Sequence, residues 1–331
     1  MIAAAAKTCN TRPTAWFVAA FALTVGLAQG VKAQDAVREH VSFYFAAHED
    51  DWQLFMNPSA FMDVADPKTK TVFFHITAGD AGNGLGTRGR KHPYYLAREN
   101  GAEVAIRFMA DAGEQPVDRE VSRKLINGHL LYRVSYRSTV AYFLRVPDGN
   151  PEGTGYPGTG YQSLERLAKG EINDFSAIDG STVYHGWADL VATLRAAMDF
   201  ERRGARVVQL NVAESNATTN PGDHSDHRMT AKAALEAAAD LTCARRVYFI
   251  DYASARLPEN LQGQQRDLES SVLAATAAGI LALDHASVWH PYHRSYLGRN
   301  YFRVEEGSGS CTPVPEPLQA ASGVPTTAPA R

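Results

Sequence analysis

The sequence predicts an α/β fold built on a mostly parallel sheet, on the strength of three observations. Short aromatic and β-branched runs, Val41 to Ala47 and Thr71 to Thr77 first among them, have the length and composition of buried strands. Stretches of helical length and pattern alternate with the later runs. The first two strands are separated by Trp52 to Asp63, which is too long for a hairpin turn and partly helical in pattern. That is the spacing of a strand, crossover, strand unit with parallel pairing.

The chain opens with a segment that does not read as part of this fold. Lys7 and Arg12 precede an apolar run from Ala15 to about Ala28, and Val31-Lys32-Ala33 places small residues where a signal peptidase reads. Residues 1–33 are therefore expected to be a signal peptide, with Gln34 the first mature residue. The run is shorter than the about 20 apolar residues of a membrane span, so export to the periplasm or beyond, without a retained anchor, is the expectation. About 300 residues remain, enough for one large domain, and no internal repeat or linker interrupts residues 34–305.

After the strand Thr71 to Thr77 comes "TAGDAGNGLG", a glycine-rich loop, and then a helix over Tyr94 to Ala110 with Leu96, Ala97, Val104, Ala105 and Phe108 on one side. Leu130 to Tyr136 and Val140 to Val146 read as two further strands. The second runs into "PDGNPEGTGYPGTGY", whose glycines and prolines indicate an ordered surface loop. A helix over Trp187 to Arg203, a strand over Ala205 to Asn211, a helix over Met229 to Leu241, a strand over Arg246 to Tyr252 and a long helix from about Leu261 to Ala282 follow. Residues 306–331, rich in Gly, Ser, Thr, Pro and Ala, are expected to form a flexible tail beyond Cys311.

A formal net charge of −3 and a pI near 6.4, with no basic stripe, argue against nucleic acid as a partner. Cys9 leaves with the signal segment. Cys243 and Cys311 either pair in an oxidising compartment, pinning the tail to the body, or stay as free thiols. Neither has a C-x-x-C or Cys/His metal spacing.

Ligands of a parallel α/β sheet bind outside the carboxyl ends of its strands. His48, Glu49, Asp50 and Asp51 lie just past the end of the first strand. His224 and His227, in "PGDHSDHRMT", lie after the strand Ala205 to Asn211, immediately before a helix. His48, Asp51 and one of these two histidines compose a shell of two nitrogens and one carboxylate with an open position, the pattern of a catalytic zinc site. Asp50, adjacent to a ligand but not needed as one, is the candidate general base for a water acidified by the metal. His224, if unused by the metal, can as an imidazolium stabilise an oxyanion or protonate a leaving amine. Asp223 reads as an N-cap or turn residue, and Asp226 as a carboxylate able to orient a ligand histidine.

"AAHEDD" followed far downstream by "GDHSDHR" resembles the paired A-H-P-D-D and H-P-D-H motifs of the PIG-L (LmbE-like) family of zinc-dependent N-deacetylases, which act on N-acetylglucosamine-containing substrates. "TVFFHITAGDAG" is similar to that family's second strand and its T-x-G-E-x-G turn, and "FLRVPDG" to its strand ending in P-D-G; together these cover about residues 40 to 285. The resemblance implies a Rossmann-like three-layer fold, zinc on His48, Asp51 and His227, Asp50 as general base and His224 at the oxyanion. It also implies substrate contacts from Asp148 and Arg98.

In three places the chain departs from the family pattern: Glu49 replaces a proline, Trp52 a glutamate and Ser225 a proline. Trp52 offers a flat apolar face to a sugar ring, so Glu49 and Trp52 are where the protein's own specificity is expected. Tyr156 and Tyr161 can flank a carbohydrate or simply pack on the body. The cluster His285, Trp289, His290 and His293 lacks a carboxylate partner in sequence, and its aromatic neighbours point to a packed C-terminal segment. No G-x-S-x-G nucleophile motif is present, and "GDAGNGLGTRGR" lacks dinucleotide-site spacing. The expected function is thus an exported hydrolase of an N-acylated amino sugar or glycoconjugate, with zinc or another divalent transition metal as cofactor. A non-catalytic sugar-binding protein and an amidase for non-sugar amides are the alternatives.

Overall fold

A computed structural model describes residues 38–315, so the expected signal peptide and the tail beyond residue 315 lie outside the described residues. The first strand, β1 (His40–Ala46), is buried along nearly its whole length, and β2 (Thr69–Thr77) along all of it. Such runs, without alternation of exposure, belong to strands covered on both faces. Between them lie two short helices, α1 (Asp51–Phe55) and α2 (Ser59–Ala65), and β1 and β2 pair in parallel as expected. The helix α3 (Tyr94–Ala110) has the predicted bounds.

A strand not read from the sequence follows, β3 (Glu120–Ile126), and then β4 (His129–Tyr136) and β5 (Thr139–Val146). Only Ile126 of β3 is buried, because the strand forms the outer edge of the sheet. Its Glu, Ser, Arg and Lys residues suit such an edge and hide the strand from a reading based on apolar pattern. A short helix, α4 (Leu164–Ala168), and a two-stranded ribbon of β6 (Asp174–Ser176) and β7 (Val183–His185) lead into α5 (Trp187–Glu201) and β8 (Val207–Ala213). The remaining elements are α6 (Ser225–Ala237), β9 (Arg245–Phe249), α7 (Gln264–Ala282), α8 (Pro291–Arg294) and β10 (Phe302–Glu305).

The main sheet has eight strands in the order β10, β9, β8, β1, β2, β5, β4, β3. The contiguous strands from β9 to β5 are parallel, β10 and β4 run against them, and the edge strand β3 pairs antiparallel with β4. Alternate residues of β1 separate two cores. Val41, Phe43 and Phe45 join the apolar residues of α4, α5 and α6, whereas Tyr44 and Ala46 join those of α1, α2, α3 and α7. This is a three-layer, Rossmann-like α/β fold. The chain leaves β1 toward β2 on one side and later returns to place β8 on the other, so the strand order reverses between β1 and β8.

In the second layer α3 and α7 cross with almost no side chain between them. A Cβ on Gly101 would lie 2.8 Å from Ile280 and 2.9 Å from the Thr276 carbonyl, and one on Gly279 would lie 2.8 Å from the Gly101 Cα. Asn100 secures the crossing by donating to the Gly279 carbonyl at 2.7 Å.

Cys243 and Cys311 form a disulfide, and Cys311 is buried. Its N–H donates to the Arg206 carbonyl, and Val314 bridges to Arg203. Residues 306–315 are therefore docked on the body, where the sequence predicts the start of a flexible tail. Replacing both cysteines by serine opens a loop of 68 residues in sequence. The expected cost is about 2–5 kcal/mol of stability, read as a lower midpoint in a denaturant melt.

Candidate metal centre

The reversal of strand order between β1 and β8 opens a crevice at the carboxyl ends of the strands, where such sheets bind ligands. His48, Asp50 and Asp51 enter it directly after β1, Asp148 after β5, His224 and His227 after β8, and Asp251 after β9. The helix α6 begins at Ser225, four residues before the expected start, because His224 is its N-cap: Nδ1 of His224 accepts the Asp226 N–H at 3.1 Å. His227 thus sits in the first turn of the helix rather than ahead of it.

Three donor atoms converge. His48 Nδ1 is 3.4 Å from Asp51 Oδ1 and 3.2 Å from His227 Nε2, and His227 Nε2 is 3.2 Å from the same Asp51 oxygen. These edges match the ligand-to-ligand separations of a tetrahedral site with bonds of about 2.0–2.1 Å, so the three residues fit a small divalent transition metal. The far nitrogens are provided for as well. His227 Nδ1 faces Asp223 Oδ1 at 2.8 Å and Asp251 Oδ2 at 3.2 Å, while His48 Nε2 faces Asp226 Oδ2 at 3.5 Å. Carboxylates placed so fix the ring orientations and keep the inner nitrogens free for a metal. Asp223 is therefore an orienting carboxylate, not the cap or turn residue expected of it.

The charges in the site are strongly linked. Against the effect of burial, His227 and then His48 hold Asp51 well below the usual carboxylate range. Against burial again, Asp51 holds both His48 and His227 well above the usual histidine range, helped by Asp226 and Asp223 respectively. His224 differs: burial, and then the neighbouring His48 and His227, push it down. Its ring is therefore neutral. With Nδ1 already accepting an N–H, the proton lies on Nε2, so His224 is a neutral donor and not the imidazolium expected from the sequence. Nε2 is turned toward Asp148, 4.0 Å away.

Asp50 is buried beside the triangle, its Oδ1 bonded to Arg98 Nη2. Arg98 also donates to the Gly79 carbonyl at 2.9 Å and lies 3.2 Å from Glu49. It lines the cavity, but its guanidinium is committed to holding Asp50. Asp148 lines the same cavity, with its own N–H held by Asp80 of the glycine-rich loop. The next residue explains the P-D-G sequence: Gly149 donates its N–H to Asp226 at 2.8 Å, and a Cβ there would come within 2.6 Å of that carboxylate.

Trp52 does not face substrate. It is 0% exposed, packs on Phe73 and donates to His75 Nε2 at 3.0 Å. Glu49 is likewise buried, behind Arg98, and burial raises it to about 8. The specificity expected at these two positions is thus not there. Trp52→Ala is expected to cost about 3–5 kcal/mol of stability, measured by denaturant melt, as a core truncation.

The cavity, about 130 Å³, is instead ringed by Phe55, Tyr94, Tyr252, Tyr292 and Tyr296, while Tyr156 and Tyr161 do not line it. Of the C-terminal histidines, His285 is structural, facing the His92 carbonyl at 2.7 Å. His293, set aside in the sequence for want of a carboxylate, lines the cavity and faces Asp50 Oδ2 at 3.8 Å. That partner lies more than 240 positions away in the chain, which is why local spacing did not reveal it.

No protein-family model matches this chain, and no match was found among curated proteins. Its fold and geometry define an α/β domain with buried His/Asp groups able to hold a metal ion at the switch point of the sheet.

Proposed function

We propose that the protein is an exported metal-dependent amidase, with zinc as its ion, that removes the acyl group from an N-acylated amino sugar or related glycoconjugate. The observation that carries this reading is the donor triangle of His48, Asp51 and His227, with Asp50 and His224 opening onto the same small cavity. The "AAHEDD" and "GDHSDHR" resemblance supports the reaction class and the sugar. The Cys243–Cys311 disulfide supports an oxidising compartment.

An ion held by the triangle supplies a positive charge that polarises the acyl oxygen and acidifies a water. Asp50, fixed by Arg98, keeps Oδ2 free to accept a proton from the attacking water. The neutral Nε2–H of His224 donates to the oxygen that gains charge as the carbonyl becomes tetrahedral. The carbon–nitrogen bond then breaks, its electron pair stays on nitrogen, and the proton taken from water goes to that nitrogen. A cavity of about 130 Å³ is well below the about 300–1,000 Å³ of sites that enclose a whole ligand. It takes the acyl-amide end and leaves the remainder of the substrate at the tyrosine-lined mouth.

Purified protein, stripped with chelator and reloaded with zinc, is expected to release acetate and free amine from members of a panel of N-acetylated amino sugars. Silence toward the whole panel, with simple amides included, rules the reading out.

A further inference from the structure

We propose that His293 is a second proton carrier of this site, passing to the departing nitrogen the proton that Asp50 takes from the attacking water. The inference rests on the amidase reading above and assigns a role to the one histidine of the cavity which that reading leaves unused.

His293 reaches the cavity from α8, and the aromatic packing around it is extensive. Tyr296 stacks on Tyr252 with ring centroids 5.8 Å apart and meets Phe55 edge-on at 5.0 Å, while Tyr292 meets Tyr296 edge-on at 5.6 Å. This packing holds the segment against the α1 side of the site. His293 Nε2 then faces Asp50 Oδ2 at 3.8 Å. The gap is too long for a direct hydrogen bond, yet short enough for one atom to lie within hydrogen-bonding distance of both groups. A bridging water fits that description.

Asp50 has reason to need such a partner. Arg98 occupies Oδ1 and is itself anchored by Glu49 and the Gly79 carbonyl, so the carboxylate is not free to swing from the attacking water to the leaving group. Its single open oxygen is the one aimed at His293. The charged and titratable groups facing the His293 ring are Asp50 and Arg98 across the cavity and His290 from its own segment, with the Val288 carbonyl also turned toward it. His224 lies on the other side, edge-on to His48 at 4.7 Å between ring centroids, with its donor toward Asp148. The two histidines thus divide the work, one at the oxyanion and one at the nitrogen.

The proton balance closes without any further reagent. Water loses a proton to Asp50 Oδ2, and Asp50 passes it through a bridging water to the lone pair of neutral His293 Nε2. The imidazolium gives it to nitrogen as the carbon–nitrogen bond breaks, and both side chains return to their starting states.

The test compares two leaving groups. His293→Gln is expected to lose about 10²–10⁴-fold in kcat on an N-acetyl amino sugar while staying within about twofold of wild type on p-nitrophenyl acetate, whose phenolate leaves without a proton. Metal content and unfolding midpoint, measured alongside, should match wild type, and imidazole added to His293→Ala should restore amide turnover. Independently of turnover, the NMR titration midpoint of His293 should fall in Asp50→Asn. An equal loss on both substrates, full amide turnover in His293→Gln, or an unmoved midpoint overturns the inference alone. Wild-type protein that turns over neither substrate overturns the amidase reading and this inference together.

Discussion

Asp50→Asn is expected to keep its metal and its fold while losing about 10²–10⁴-fold in turnover, the usual contribution of a positioned general base. The substitution is nearly isosteric, and none of the three converging donor atoms belongs to Asp50. An asparagine oxygen still accepts from Arg98, and Glu49 and the Gly79 carbonyl continue to hold the guanidinium. What disappears is the open carboxylate oxygen to which the proposed mechanism assigns the proton from water. Elemental analysis of the purified variant, with kcat on a responsive amide, separates these effects. Full turnover in Asp50→Asn removes it from the role of base.

Chelation is expected to abolish turnover, and the gap in melting temperature between metal-loaded and metal-free protein should widen as pH rises. In the metal-free protein His48 and His227 sit well above the usual histidine range because Asp51 pairs with both. A raised histidine contributes stability that is fully present below about pH 6.5 and is lost as pH rises through the folded-state value. A metal needs both inner nitrogens deprotonated, so protons compete with it and its contribution grows as pH rises. Asp51, held well below the usual carboxylate range, remains an anion throughout the window and its contribution is lost only in acid. Thermal melts of both forms from about pH 5.5 to 8.5 check the trend. A gap that stays constant or narrows with rising pH would contradict proton competition at these two rings.

The sheet was legible wherever strands are buried on both faces, as in β1 and β2, and so were the bounds of α3, though its buried side was not: Phe108, expected on it, is exposed, and Ile106 and Met109 are buried instead. The edge strand β3 was not, since its side chains are chosen for solvent. The converging donors were legible because they follow strand ends, where a parallel sheet gathers its loops. Asp251 obeys the same rule after β9, but a lone acidic residue there carries no motif. Trp52 was misjudged by rotation. One residue beyond Asp51 on a helix lies about 100° around the axis, which turns Asp51 to the site and Trp52 into the core. His293 and Asp223 face Asp50 and His227 through space, and such partners leave no spacing of their own.

The crossing of α3 and α7 at Gly101 and Gly279 bears on more than helix packing. Arg98, one turn before Gly101, grips one oxygen of Asp50, and the segment that follows α7 brings His293 to the other. The distance between Arg98 and His293 across the cavity is therefore gauged at a contact between two backbones, where a single added methyl group would push against Ile280 and the Thr276 carbonyl. The separation of the two sides of this cavity is thus set by two residues that have no side chain and do not line it.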